Sequence, residues 1–362
     1  MRPSQRIFIF LMMVALAVGY FLGNQLMLSD LVLMVPFIGM ALVVLLAAYS
    51  TVIHIFLHEL GHLIFGKLTG YKLIYFQVPF FRYDANRKKG SKNKKTVPGL
   101  LGQCLMAPPE KGDYDEKPFQ LYLLGGLLVN LLTAIVLYTG AFLLPREWGF
   151  YSFVMSLPPF LLFLGNSIPF GYTDGKVWRE TRKSKVARKL YFKQLEMAAF
   201  VEAGTLMEDI PATQFEEAVT GEAKQSFLGE YTVLMQYQRF LYEQQFAEAD
   251  QLIRDYQSTW DYMKSPYSRQ VACELLFCHA LFGRQEEAKQ LKNHIEKYSG
   301  LKVQFEGNKR VQAAYVFFVE KNLEKTKQLI TEMESNETLV LSELEQATES
   351  RLVEWLKGYL VF

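Results

Sequence analysis

Histidines at positions 58 and 62 enclose a glutamate in the run His58-Glu59-Leu60-Gly61-His62. Two histidines four residues apart share one face of a helix and can bind a single zinc ion (Zn2+). Glu59 sits where it can take a proton from a water that zinc activates, since zinc lowers the pKa of such a water to about 7. Three of the chain's five histidines fall between positions 54 and 62, inside a long apolar segment. Ionisable groups at membrane depth are costly and functional by default, which separates this cluster from histidines that only fill a core.

Two histidines leave a tetrahedral zinc short of its third protein ligand, with the fourth position kept for water. Asp174 is the leading candidate. It follows the last apolar run, in Asn166-Ser167-Ile168-Pro169-Phe170-Gly171-Tyr172-Thr173-Asp174-Gly175, at the end where the second span delivers His58 and His62. Pro169, Gly171 and Gly175 loosen the helix there, so a carboxylate can turn toward a metal. His54 is an internal rival, because 54, 58 and 62 are successive steps of four on one stripe. Each step rises about 6 Å, which places His54 about 12 Å along a straight helix from His62. A zinc–nitrogen bond is only about 2 Å, so one ion cannot readily reach all three rings. Asp174 escapes that limit by coming from another segment.

The elements that must position these groups are membrane spans. Four apolar runs are long enough, at about 20 residues per crossing: residues 7–28, 31–67, 121–144 and 150–169. Arg2 and Arg6 precede the first, which resembles a signal peptide, but the apolar run continues beyond Ala15-Leu16-Ala17, and a retained anchor is expected. The second run exceeds one perpendicular span, so it must tilt, bend or project. Lys and Arg crowd the connection between spans two and three and the segment after span four, whereas the other two connections carry almost none. The positive-inside rule then makes both termini cytoplasmic. The basic runs have a second reading, as contacts with anionic lipid heads.

The combination of His-Glu-Leu-Gly-His in one span and an asparagine-proline stretch closing on Asp-Gly in a later one resembles the site-2 proteases, zinc-dependent intramembrane peptidases. That resemblance covers roughly residues 50 to 176. It implies His58, His62 and Asp174 as metal ligands, Glu59 as the catalytic base, and Asn166 as the family's asparagine. Gly126-Leu127-Leu128-Val129-Asn130 is similar to the family's glycine-proline-x-x-asparagine stretch, with Leu127 in place of proline. Thr173 stands where leucine is usual. The Asn130 amide could hold a substrate strand, stabilise an oxyanion, or simply tie two helices together. The β-prone segment Lys72–Tyr83 resembles the family's re-entrant β-segment, with 96–106 as its return strand; an edge strand could hold an unwound substrate, or the segment could simply cap the bundle. Gly99, Gly102 and Gln103 are further candidates for that clamp.

Beyond Lys193, the runs Ala247–Leu252, Glu286–Leu291 and Glu324–Leu329 form a weak repeat of about 38 residues, the signature of stacked helical hairpins. Each follows an apolar helical stretch. A degenerate tetratricopeptide-type (TPR-like) array would recruit a cytoplasmic protein partner; an ordinary helical domain is the alternative. Net charge is +2, which gives no argument for nucleic acid. Cys104, Cys273 and Cys278 lack framework spacing, so reduced thiols are expected.

The expected protein is therefore an all-α polytopic membrane protein. Four transmembrane helices and a small re-entrant β-segment fill residues 1–175, and a cytoplasmic helical domain fills 176–362. The expected function is Zn2+-dependent hydrolysis of a peptide bond in a membrane-embedded substrate, in the lipid bilayer of a bacterial cell. A non-catalytic scaffold with a structural zinc site is the alternative, and Glu59 argues against it, because a structural site needs no base beside its ligands.

Overall fold

A computed structural model describes residues 36–79, 81–85, 101–110, 112–168, 173–217, 219, 226–257, 266–297, 306–335 and 342–360. The expected span 7–28, the start of the second span and residues 96–100 lie outside the described residues. The chain divides into two compact units, Met1–Lys183 and Ser184–Phe362.

In the first unit, α1 (Pro36–Leu68), α2 (Gln120–Leu143) and α3 (Arg146–Ser167) pack on one another. Within them Val43–Leu68, Gln120–Leu143 and Trp148–Ser167 are long and apolar enough to cross a membrane. At about 1.5 Å per residue α1 is about 50 Å long, more than a hydrocarbon core of about 30 Å. The polarity of α1 is the reverse of a soluble helix. Ser50, His54, His58, Glu59 and His62 are buried, while Val44, Leu45, Val52, Phe56 and Ile64 are exposed. Likewise α2 exposes Leu132, Ile135, Val136 and Phe142 and buries Asn130 completely. Apolar faces of this extent are unstable in water and ordinary in lipid.

Ser50 and His54 in this interior find local partners. Pro159 of α3 has no N–H, which removes the helical donor to the Met155 carbonyl. Ser50 Oγ of α1 donates to that carbonyl at 2.8 Å, and His54 Nδ1 donates to the Ser50 carbonyl at 2.7 Å. His54 thus belongs to a contact that fastens α1 to α3.

A three-stranded antiparallel sheet packs on α1, with order β2-β1-β3. Its strands are β1 (Lys72–Val78), β2 (Phe81–Asp84) and β3 (Gln103–Ala107). The Lys72–Tyr83 segment expected as one edge strand is a hairpin whose first strand is central. Pro79 ends β1 at the turn, because a residue without an N–H breaks a ladder paired on both sides. The sheet edges belong to β2 and β3. Helix α4 (Asp174–Lys183) closes the unit by packing on α2 and α3.

The second unit is helical: α5 (Lys185–Glu202), α6 (Phe227–Tyr242), α7 (Phe246–Gln257), α8 (Pro266–Leu281), α9 (Gln285–Lys297), α10 (Glu306–Phe318), α11 (Leu323–Glu334) and α12 (Glu343–Gly358). Helices α6 to α11 form three successive pairs, and the repeated sequence begins at the second residue of α7, α9 and α11. The same turn recurs before each of these helices: Gln244, Gly283 and Lys321 all adopt positive φ, two residues ahead of the helix start. At equivalent positions in the second helices, Ala249, Ala288 and Thr326 are wholly buried, small residues where helices approach closely.

Arg310 of α10 is buried between Glu274 of α8 and Glu349 of α12. Its guanidinium donates to both Glu274 oxygens at 2.8 and 2.7 Å and to Glu349 at 2.8 Å, and it lies over the Phe277 ring. Removing one member of a buried charge cluster leaves the others uncompensated, at about 3–5 kcal/mol. Chemical denaturation of Arg310→Met is therefore expected to show the C-terminal unit destabilised by about that amount; a change within about 0.5 kcal/mol, typical of surface sites, would contradict this role.

Candidate metal centre

The His58 and His62 rings, one turn apart on α1, are brought against α2 where the two helices cross at Gly61 and Gly125. A Cβ on either glycine would fall within 2.5–2.6 Å of the other's carbonyl oxygen, so only glycine permits this approach. Across the crossing, the Tyr122 carbonyl lies 2.7 Å from His62 Nδ1. A carbonyl can only accept, so Nδ1 carries the proton and a neutral His62 has a bare lone pair on Nε2.

Two other possible ligand atoms lie close to it. His62 Nε2 lies 3.2 Å from His58 Nε2, and Asp174 Oδ2 lies 3.1 Å from His58 Nε2 and 3.4 Å from His62 Nε2. A tetrahedron with bonds of about 2.0–2.1 Å has edges of about 3.3 Å. The three distances match the edges of one face of that tetrahedron, so the donor set fits a zinc-sized ion. His54 contributes no atom to this group, which consists of His58, His62 and Asp174.

Asp174 arrives at the first residue of α4, outside the candidate spans. Thr173 just before it donates to the Ile168 carbonyl at 2.7 Å, fastening the approach to the end of α3. Burial pushes the Asp174 carboxyl up, but the two histidines beside it, when protonated, outweigh this and hold it well below the usual carboxylate range. The positive end of the α4 dipole favours the same ionised form.

Glu59 is buried beside this face, and the Cys104 backbone N–H donates to its carboxylate. The Cys104 carbonyl accepts from Tyr122 Oη at 2.8 Å. Both backbone groups of Cys104 therefore point away from β1, and the outer edge of β3 faces the carboxylate. At Gly102 a Cβ would stand 2.6 Å from Glu59 Oε1; any larger residue would displace the carboxylate.

Asn130 is buried on α2 with its amide 3.0 Å from His58 Nδ1. Gly126, one turn earlier, leaves the space the His58 ring fills, since a Cβ there would lie 2.5–2.6 Å from three ring atoms. Asn166 is placed differently: its amide donates to the Leu162 carbonyl of its own helix at 3.2 Å. The supporting roles of Gly126, the Tyr122 carbonyl and the Cys104 N–H were not visible in the sequence, because each depends on how the helices cross and the sheet lies. Cys104, like Cys273 and Cys278, is a free buried thiol.

No protein-family model matches the chain, and no curated protein or solved structure matches it significantly.

Metal analysis of equally folded variants tests the ligand set. Asp174→Ala is expected to weaken zinc binding by more than the about 10–100-fold that losing an outer-shell partner costs, while His54→Ala keeps zinc. The reverse pattern would overturn the assignment.

Proposed function

We propose that the chain is a zinc-dependent intramembrane endopeptidase of the site-2 protease type, cutting a membrane-embedded peptide near the cytoplasmic face of a bacterial membrane. The observation that carries this reading is the convergence of three potential ligand atoms, His58 Nε2, His62 Nε2 and Asp174 Oδ2, at the edge lengths of a tetrahedral site, with a buried carboxylate beside them. A metal cation set among the three would bind all of them at once, where a proton joins only one pair.

Bound there, zinc would supply a Lewis acid for the scissile carbonyl and activate a water at neutral pH. The residues of the chain do the rest. Glu59 accepts the proton of the attacking water and passes it to the leaving amine. His58, His62 and Glu59 are each only 7% exposed, so interactions between developing charge and fixed groups there are poorly screened by water. Two of the side chains that would hold zinc come from α1 and the third from α4.

A transmembrane substrate hides its carbonyls in helical hydrogen bonds, so it must unwind and find new partners. The outward backbone groups of Cys104 on β3 are already bonded to Glu59 and Tyr122, so the exposed β2 edge is the one open to an extended strand. The basic segments around the spans favour cytoplasmic termini and four spans, with the first in residues 7–28. The paired helices of the C-terminal unit, with their recurrent turn, support a TPR-like array that recruits a cytoplasmic partner.

Glu59→Gln is expected to lower cleavage by at least about 10²-fold while zinc stays bound, since a base is lost and every ligand kept. Mass spectrometry of membrane peptides, comparing wild type with the variant, measures this. Near-normal proteolysis by the purified variant would sink the enzyme assignment in favour of a scaffold with a structural metal.

A further inference from the structure

Asn130 is completely buried, and the two ends of its amide meet different fates. Its Nδ2 lies 3.0 Å from His58 Nδ1, while its Oδ1 has no hydrogen-bond partner. An amide nitrogen that donates to Nδ1 needs that ring atom bare, which puts the proton of a neutral imidazole on Nε2. Yet Nε2 is the atom directed at Asp174 Oδ2 and His62 Nε2, where a ligand must offer a lone pair.

A half-turn of the amide resolves the conflict. It exchanges nitrogen and oxygen at nearly the same places, and which end faces a partner is decided by the hydrogen bonds available. With Oδ1 toward the ring, His58 Nδ1–H donates to it and the Nε2 lone pair is freed. Oδ1 in its present place receives no donor, so no hydrogen bond is lost there on the exchange and the choice is made at the imidazole.

His62 shows the same arrangement on the neighbouring turn, its Nδ1 donating to the Tyr122 carbonyl. Tyr122, Gly126 and Asn130 are successive steps of four on α2 and so share one stripe. The first orients His62, the second makes room for the His58 ring, and the third meets its Nδ1. We propose that Asn130 is the positioning residue of His58, accepting Nδ1–H through Oδ1 and thereby holding the Nε2 lone pair toward the metal. This rests on the zinc reading above and assigns Asn130 to the metal rather than to the substrate strand.

The test is zinc affinity of the full-length purified chain, measured by competition with a chelator, with Zn2+ alone as probe. Asn130→Leu keeps the size of the side chain and removes the acceptor; it is expected to bind zinc about 10–100-fold more weakly. Asn130→Asp keeps the acceptor and removes the donor, and is expected to restore affinity to within a few-fold of wild type. Equal affinity of Asn130→Leu and wild type, or equal losses in the Leu and Asp variants, would overturn the assignment. In case Asn130→Leu does not fold, 15N magnetic resonance of zinc-loaded wild type reads the tautomer directly: a proton on His58 Nδ1 is expected, and one on Nε2 would overturn the proposal. A wild-type chain that takes up no zinc would instead sink the metal reading itself.

Discussion

Three side-chain atoms that could each ligate a metal, His58 Nε2, His62 Nε2 and Asp174 Oδ2, stand 3.1–3.4 Å from one another. His62 is committed to that arrangement by the Tyr122 carbonyl, which leaves its neutral ring no proton on Nε2. The Asp174 carboxylate and the His58 ring complete it, at separations of 3.1–3.4 Å. Much of the first unit answers to this constraint. The glycine crossing of α1 and α2 brings the rings together, α4 delivers the carboxylate from a separate segment, and β3 lies against Glu59.

The second constraint is the solvent outside. Helix α1 carries its polar stripe inward and its apolar residues outward, an arrangement that lipid rewards and water penalises. Each inward polar group therefore needs a partner from the protein. Ser50 finds the Met155 carbonyl that Pro159 leaves without a donor, His54 finds the Ser50 carbonyl, and Glu59 finds the Cys104 N–H. The C-terminal unit follows ordinary rules for water, with apolar residues inside and one buried arginine balanced by two glutamates.

Some of this was legible in the sequence because it depends on local periodicity. The spacing of His58 and His62 fixes a shared helix face whatever the rest of the fold, and helical pitch alone separates His54 from His62. The weak repeat coincides with the second helices of three successive pairs because hairpin turns and small buried residues leave marks at fixed offsets. What was not legible depends on long-range packing. Pro79 was read as a sign of an edge strand, but it marks the end of a central one, since strand order is set by the distant β3. Gly102 and Gly126 gain their meaning only from side chains more than forty residues away.

The central claim is that His58, His62 and Asp174 hold one zinc with a fourth position open. X-ray absorption at the zinc edge, on the full chain in a lipid bilayer, measures that environment most directly. One zinc per chain is expected, in a shell of nitrogen and oxygen at about 2.0–2.1 Å that contains two imidazoles. A chain that retains no stoichiometric zinc, or a shell with sulfur at about 2.3 Å, would contradict the account.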